Sequence, residues 1–382
     1  MRIGIPLETL VGETRVAATP ETVKKYVAAG HEVCVQAGAG LAAGIPDAAY
    51  REAGAALVDA ASALSADLVL KVRRPAAEEL AAMRRGAALV GMLDPFDRAG
   101  LEQLAGAGLT AFALEAAPRT TRAQNMDVLS SQANIAGYKS VLVAAEHYPR
   151  FFPMLMTAAG TVKAARVVVL GVGVAGLQAI ATAKRLGAVI EASDVRPSVR
   201  EQVESLGARF IDVPYETDEE REAAEGAGGY ARPMPQSWLD RQKVEVARRV
   251  AQADVVITTA LIPGRAAPTL VTEDMVASMK LGSVIVDMAA GKGPAGIDGN
   301  CVLTEAGRVV QAHGVTLVGE TNLPARVAAD ASALYARNVF NFLRLVLPAS
   351  GEPPAQAGLK SDLEDDIVAA CLMTQDGQIR RK

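Results

Sequence analysis

Arg166-Val167-Val168-Val169-Leu170-Gly171-Val172-Gly173-Val174-Ala175-Gly176-Leu177 is the stretch from which the fold is read. Arg166–Leu170 is a short apolar run of the kind that forms a buried strand. Gly171–Gly176 then spells GxGxxG, and Val174–Leu186 has helical character and ends at Gly187. In such a strand–turn–helix unit, the glycines permit a tight turn, a close approach of pyrophosphate and close helix–strand packing. The pyrophosphate meets free N–H groups at the helix N-terminus. The next strand, Val189–Ser193, ends at Asp194, and a carboxylate about 20 residues past the loop can accept a ribose 2′-OH. A glycine turn in a nucleotide-free domain is the bland alternative, and the full set of elements argues against it. Gly171, Val172, Gly173, Val174, Gly176, Asp194, Val195 and Arg196 are therefore candidate cofactor-binding residues. Arg196 fits either a 2′-phosphate partner or a solvated loop charge. Asp194 occupies the strand end and repels a phosphate, so the pattern favours NAD(H).

Outward from this unit, the same alternation runs in both directions. Before it, strands are expected at Arg2–Ile5, Glu32–Val35, Ala55–Val58, Asp67–Val72, Ala87–Met92 and Leu109–Leu114. After it come Arg209–Val213, Val255–Thr259, Ser283–Asp287 and Thr316–Val318. Strands alternating with helices predict parallel sheets with right-handed crossovers. The expectation is α/β: two doubly wound Rossmann-like domains with parallel sheets, joined by two bridging helices. The first domain takes residues 1–126 plus 326–382, the nucleotide domain 140–320, and the bridging helices 127–148 and 326–345. A cleft between the domains would follow. Pro348–Gly358 reads as linker, and Ile367–Ile379 as a β-hairpin around Asp376-Gly377.

The composition agrees. The chain has 382 residues, too many for one ordinary core. It is 50% hydrophobic and only 4% aromatic, which suits sheets buried under helices. A net charge of -4 gives no basic face for nucleic acid or anionic lipid. Cys34, Cys301 and Cys371 show no metal-type or disulfide-framework spacing, so no metal is expected and a reducing compartment is the default. The most apolar window, Val167–Ala183, is broken by three glycines and is short for a membrane span.

The densest polar stretch beside an apolar strand is Pro118 to Gln132, at the carboxyl end of the last strand of the first domain. Ligands of doubly wound folds sit at such ends. Gln124, Asp127 and Ser130 are spaced by three, so a helical turn would place Asp127 and Ser130 on one face. The Gln124 amide can both donate and accept, which suits a nicotinamide. The competing reading is a capped helix start with Asp127 as a first-turn acid.

Three runs carry a family resemblance: Arg122-Ala123-Gln124-Asn125-Met126-Asp127-Val128-Leu129-Ser130-Ser131-Gln132, Met156-Thr157-Ala158-Ala159-Gly160-Thr161, and Gly171 through Leu186. Arg326-Val327-Ala328-Ala329-Asp330-Ala331-Ser332 joins them. They resemble the NAD(H)-binding component, domain I, of proton-translocating nicotinamide nucleotide transhydrogenase, here of the separate α1 type. The resemblance implies hydride transfer between NAD(H) on this chain and NADP(H) on a partner component. It also implies a homodimer, membrane-spanning partner subunits, and a peripheral position on the cytoplasmic face of the membrane. By motif match, Arg119, Gln124, Asp127 and Ser130 surround the nicotinamide and count as catalytic. Gly171–Gly176 hold the pyrophosphate, and Asp194, Val195 and Arg196 the adenosine ribose. A mobile loop, Gly226-Ala227-Gly228-Gly229-Tyr230-Ala231, contributes Gly229 and Tyr230, and Gln242 and Leu261 match further nucleotide-lining positions.

Alanine dehydrogenases share the two-domain plan, and their pyruvate-binding Arg and Lys are matched by Arg15 and Lys71. A stand-alone amino- or keto-acid dehydrogenase is thus the alternative, with a non-catalytic NAD(H)-binding protein as a third reading. Oxidising an amine needs proton transfer. Where the resemblance places a substrate-facing His and a catalytic carboxylate, this chain has Gly91-Met92-Leu93 and Ala290-Gly291-Lys292. His31, His147 and His313 fall in turns or at a helix end and read as surface or capping residues.

Overall fold

Arg2–Ile5 forms β1 of the computed structural model, which describes residues 1–225, 234–262, 264–291, 299–347 and 363–381. The chain divides into two compact units, residues 1–132 with 324–382 and residues 133–323. The helix Val128–His147 runs across that division, whereas the helix Ala328–Val346 belongs to the first unit throughout.

In the first unit, β1 is followed by β2 (Glu32–Gln36), β3 (Ala56–Val58), β4 (Leu68–Arg73), β5 (Ala88–Met92) and β6 (Thr110–Ala113). These six are parallel and neighbour one another in the order β6-β5-β4-β1-β2-β3. Alternate residues along the strands face opposite sides of the sheet. Leu68, Leu70, Val72, Val90 and Phe112 pack with Tyr335, Val339 and Phe342 of the helix Ala328–Val346. Val69, Leu89, Ala111 and Ala113 pack with Leu101 and Leu104 on the other side. At Gly4 a Cβ would lie 1.9 Å from the Ala63 carbonyl oxygen, so the helix Ala60–Leu64 rests directly on the β1 backbone. The first long helix starts at Pro20, where the Thr19 N–H donates to the Thr22 hydroxyl at 3.0 Å, and the chain leaves it through Gly30 at φ +85°.

The second unit opens with a small antiparallel hairpin, β7 (Leu155–Thr157) and β8 (Gly160–Val162). Its main sheet contains β9 (Arg166–Leu170), β10 (Val189–Ser193), β11 (Arg209–Phe210), β12 (Val255–Thr258), β13 (Val284–Asp287), β14 (Val309–Ala312) and β15 (Val315–Val318). Their order is β11-β10-β9-β12-β13-β15-β14, so the topology reverses between β9 and β12. Val167, Val169, Ile190, Val255 and Val286 pack with Ala179, Ile180 and Ala183. Val168, Val256, Ile285 and Leu317 pack with Val246, Val250 and Met275.

Four sequence expectations need correction. The sheets are not purely parallel, because β14 runs antiparallel to β15. In the first unit, β16 (Leu372–Gln375) and β17 (Gln378–Ile379) add to the β6 edge, β16 antiparallel to β6 and β17 to β16. The strand expected over Arg209–Val213 ends at Phe210, as the edge strand of its sheet. Ile367–Cys371 is helix rather than hairpin, because the Asp365 carboxylate caps it by accepting from the N–H groups of Ile367 and Val368 at 2.9 and 3.2 Å. The linker Pro348–Gly358 lies outside the described residues. Cys34, Cys301 and Cys371 are buried free thiols.

A buried ionic network stiffens the first unit. Arg15 clasps Glu13 through two bonds of 2.7 and 2.6 Å and donates to Gln132 at 2.7 Å. Lys71 sits 2.6 Å from Glu79 and 3.4 Å from Glu8. Burial pushes the Glu13 carboxyl up, but the Arg15 hydrogen bonds and the charges of Arg15 and Arg73 together hold it down at about 2, below its ordinary 4.5. A carboxyl depressed in the folded state contributes stability above its unfolded value and loses it on acidification. Glu13→Gln is expected to cost about 3–5 kcal/mol at pH 7, because Arg15 loses its buried counter-charge. The gap from the unaltered chain should narrow between pH 4.5 and about 2. Denaturant titrations across that range test this, and a gap independent of pH would contradict the assignment.

Candidate functional site

The carboxyl end of β9 lies at the topological reversal of its sheet, where open α/β sheets bind ligands. Gly171 follows β9 at φ +93°, a conformation that side chains resist. Its N–H donates to the Ser193 carbonyl at 2.9 Å, and its own carbonyl accepts the Thr259 hydroxyl at 2.8 Å. Thus the strands on both sides fix the turn. Gly173 precedes the helix Val174–Arg185, whose first N–H groups have no intrahelical acceptor. A Cβ on Gly176 would lie 2.0 Å from the Gly171 carbonyl oxygen, so only glycine lets helix and turn meet. A Cβ on Gly173 would meet nothing within 4 Å, which leaves space over the turn.

Asp194 is tied into this turn. Its carboxylate accepts from the Val172 N–H at 2.7 Å and from the Arg196 backbone N–H at 2.9 Å. The Arg196 guanidinium adds two further bonds at 2.9 Å and donates to the Val172 carbonyl at 3.2 Å. Arg196 is therefore neither a solvated charge nor an open phosphate ligand: it is folded onto Asp194. The carboxylate has about four acceptor positions, and the chain itself fills them. The Val195 carbonyl accepts the Tyr215 hydroxyl at 3.1 Å, and the Tyr215 ring stacks on Trp238 at 5.8 Å. Gln242 donates to the Ser193 hydroxyl at 3.4 Å, and Leu261 stands just beyond β12 with 36% of its surface exposed. Gly229 and Tyr230 of the expected mobile loop lie outside the described residues.

In the first unit, the polar stretch forms a second pocket of about 390 Å³. Pro118, Arg119, Thr120, Ala123, Gln124, Asp127 and Ser130 line it. Here the helical-face expectation is corrected. Thr121–Met126 is a 3₁₀ turn, and Asp127 lies off the helix at φ −73°, ψ 91°. Its carboxylate accepts the Ser130 N–H at 2.8 Å and the Ser130 hydroxyl at 2.6 Å, so Asp127 caps the helix that begins at Val128. Gln124 is exposed, and its side chain makes no hydrogen bond among the described residues. What holds the turn is distant in sequence. Asn338 and Asn341 both donate to the Asn125 carbonyl, at 2.8 and 3.0 Å, and Arg122 pairs with Asp365 and Asp366. Sequence reading missed these supports, since only tertiary packing brings residues more than 200 positions apart together.

Arg15 and Lys71 are buried, and Glu13, Gln132, Glu79 and Glu8 answer their charge within the unit. Met92 ends β5, and at Gly91 a Cβ would lie 2.7 Å from the Lys71 carbonyl oxygen. Gly291 stands at φ +68°, and Lys292 lies outside the described residues. His313 faces Glu273 at 3.4 Å in the β14–β15 turn.

Fold and loop together define a dinucleotide-binding α/β protein of two Rossmann-like units. Residues 4–136 match the family model described as alanine dehydrogenase/PNT, N-terminal domain, and residues 140–382 match the corresponding C-terminal domain. The chain belongs to the alanine dehydrogenase/PNT family. It is 50% identical to the first of the separate alpha chains of the Rhodospirillum rubrum NAD(P) transhydrogenase, covering 99% of this chain and 97% of that one. The solved transhydrogenase from Sinorhizobium meliloti superposes with a TM-score of 0.86 at 47% identity, over 99% of this chain and 100% of that one. Alanine dehydrogenase of Mycobacterium tuberculosis is 33% identical, over 86% of this chain and 82% of its own.

Proposed function

We propose that this chain is the NAD(H)-binding subunit of a proton-translocating transhydrogenase. It exchanges hydride between NAD(H) held here and NADP(H) held by a partner subunit. The observation that carries this reading is the turn Gly171–Gly176, locked by Ser193, Thr259 and Asp194, in a chain half identical to a transhydrogenase alpha subunit. The turn and the helix Val174–Arg185 receive the pyrophosphate, and Asp194, Val195 and Arg196 the adenosine ribose. For a ribose hydroxyl to reach Asp194, the Arg196 guanidinium is the partner that yields, because it can rotate without moving backbone. Arg119, Gln124, Asp127 and Ser130 serve the nicotinamide, with Asp127 and Ser130 acting as a bonded pair. Gly229, Tyr230, Gln242 and Leu261 complete the nucleotide contacts. Hydride transfer between two nicotinamides moves no proton at the reacting carbons, so no acid–base residue is required there.

The proton path belongs to membrane-spanning partners, since among the described residues no helix is long and apolar enough to cross a membrane. The chain then sits on the cytoplasmic face, held by those partners. It works as a homodimer. The hairpin around β7 exposes Met154, Leu155 and Met156 by 61, 39 and 72%, an apolar surface that a second copy covers.

Two experiments test the reading. Nucleotide titrations should show NADH binding well ahead of NADPH, because Asp194 disfavours a 2′-phosphate; equal affinities would remove that role. Mixing the chain with an isolated NADP(H)-binding component should restore hydride exchange that neither shows alone. Conversely, steady NADH oxidation with pyruvate and ammonia is not expected, because Met92 and Gly291 supply neither a base nor a carboxylate. Such activity would favour an amino-acid dehydrogenase instead.

A further inference from the structure

The loop that leaves β12 carries Thr259, whose hydroxyl holds the Gly171 carbonyl, and then Ala260 and Leu261. One buried side chain holds this loop. Asn300 is fully buried, and its amide pairs with Ala260 in both directions: it donates to the Ala260 carbonyl at 2.9 Å and accepts the Ala260 N–H at 3.0 Å. Its second N–H donates to the Pro268 carbonyl at 2.8 Å, so one side chain ties both ends of the loop. Asn300 is itself fixed. Its carbonyl accepts the N–H groups of Leu270 and Val271 at 2.8 and 2.9 Å, and the neighbouring Cys301 N–H donates to buried Asp287 at 2.9 Å. An amide supplies two donors and an acceptor at once, a combination that neither a carboxylate nor a hydroxyl offers.

We propose that Asn300 is a positioning residue for the dinucleotide. It fixes Ala260, hence Thr259 and the phosphate turn on one side and Leu261 on the other, without touching the nucleotide itself. This rests on the NAD(H) reading of the turn. The Ala260 N–H and carbonyl that Asn300 satisfies would otherwise be free to turn the loop away from Gly171. Leu261 and Ile262 are already 36 and 42% exposed and have little packing of their own to keep them in place.

The test is calorimetric titration of NADH into the full chain, with circular dichroism to establish folding. Asn300→Ala should weaken NADH binding by about tenfold or more, the scale of losing a buried hydrogen-bonded clamp. In hydride exchange with the NADP(H) component, KM for NADH should rise while kcat at saturation holds. Asn300→Asp is the more telling variant. As a carboxylate it opposes the Ala260 and Pro268 carbonyl oxygens; once protonated, it donates to one of them. Its NADH affinity should therefore climb as pH falls from 8 to about 5.5, in the direction set by a buried acid. Asp287 and Cys301 are the titratable groups beside it, and the unaltered chain, which has both, controls for them. Thr259→Val should also weaken binding, and the double variant with Asn300→Ala should lose less than the product of the single losses. Folded Asn300 variants that bind like the unaltered chain, a pH-flat Asn300→Asp, or multiplicative losses would overturn the positioning role while leaving the NAD(H) reading intact. Failure of the unaltered chain to bind NADH would overturn both.

Discussion

Gln124→Asn slows hydride transfer in the reconstituted complex by about 10²-fold while shifting NADH affinity by less than about tenfold. Gln124 is the exposed amide of the 3₁₀ turn Thr121–Met126, and its side chain is uncommitted among the described residues. The backbone beneath it is held rigidly, through Asn125 to Asn338 and Asn341 and through Arg122 to Asp365. A rigid base with a free amide at its tip is what positioning a ring requires. Shortening the side chain by one methylene withdraws the amide without disturbing the turn. Hydride transfer needs donor and acceptor carbons within roughly 3–3.5 Å, and about 1 Å of misplacement costs on the order of 10²-fold. The pyrophosphate turn and the ribose site supply most of the binding, so affinity changes little. Single-turnover transfer and NADH titration on the same variant separate the two effects. Transfer at the unaltered rate, or a loss fully explained by weaker binding, would return this segment to a helix-capping role.

Gly176→Ala has the opposite signature: binding fails. The added methyl would sit 2.0 Å from the Gly171 carbonyl oxygen, and backbone stands on both sides of that contact. The helix Val174–Arg185 must back away from the turn, carrying its N-terminal N–H groups with it. NADH affinity is expected to fall by roughly 10²-fold, with stability lower by about 1–3 kcal/mol from overpacking. Thr182→Ala, on the same helix but far from the turn, serves as a control with near-normal NADH binding. A Gly176→Ala chain that binds NADH as well as the unaltered one would show that the turn does not hold the pyrophosphate.

What could be read from sequence was whatever a short stretch specifies by itself. β9 and β10 carry their own apolar runs, and Gly171, Gly173 and Gly176 announce the turn between β9 and its helix. The strand β14, Val309–Ala312, alternates exposed and half-buried residues at a sheet edge, and that weak pattern gives little signal. The hairpin β7–β8 has almost no inward face, so no alternation marks it. Ile367–Cys371 is a short apolar run that strand and helix share equally, and Asp365 decides for helix through its cap. At the site, the residue types were legible but their bonding was not. The spacing of Asp127 and Ser130 suggested a shared face, whereas the chain places Asp127 at the cap and bonds the two directly. That Arg196 would fold onto Asp194, or that Asn300 would hold Ala260, depends on loops meeting in space.

The last strands, β16 and β17, close the sheet that β1 begins, so the first unit is written in two pieces with the other unit between them. A ribosome making this chain delivers β1–β6 early and must then translate residues 133–323 before the helix carrying Tyr335 and Phe342 exists. Domains fold as they emerge, at about 5–20 residues per second, so the nascent first sheet waits tens of seconds with Leu70, Val90 and Phe112 uncovered. The second unit, contiguous in the chain, has everything it needs sooner and folds first although it is encoded later. Maturation therefore depends on the very end of translation: a chain cut at Cys371 would lose β16 and β17, leave the β6 edge bare, and be a natural client for chaperones.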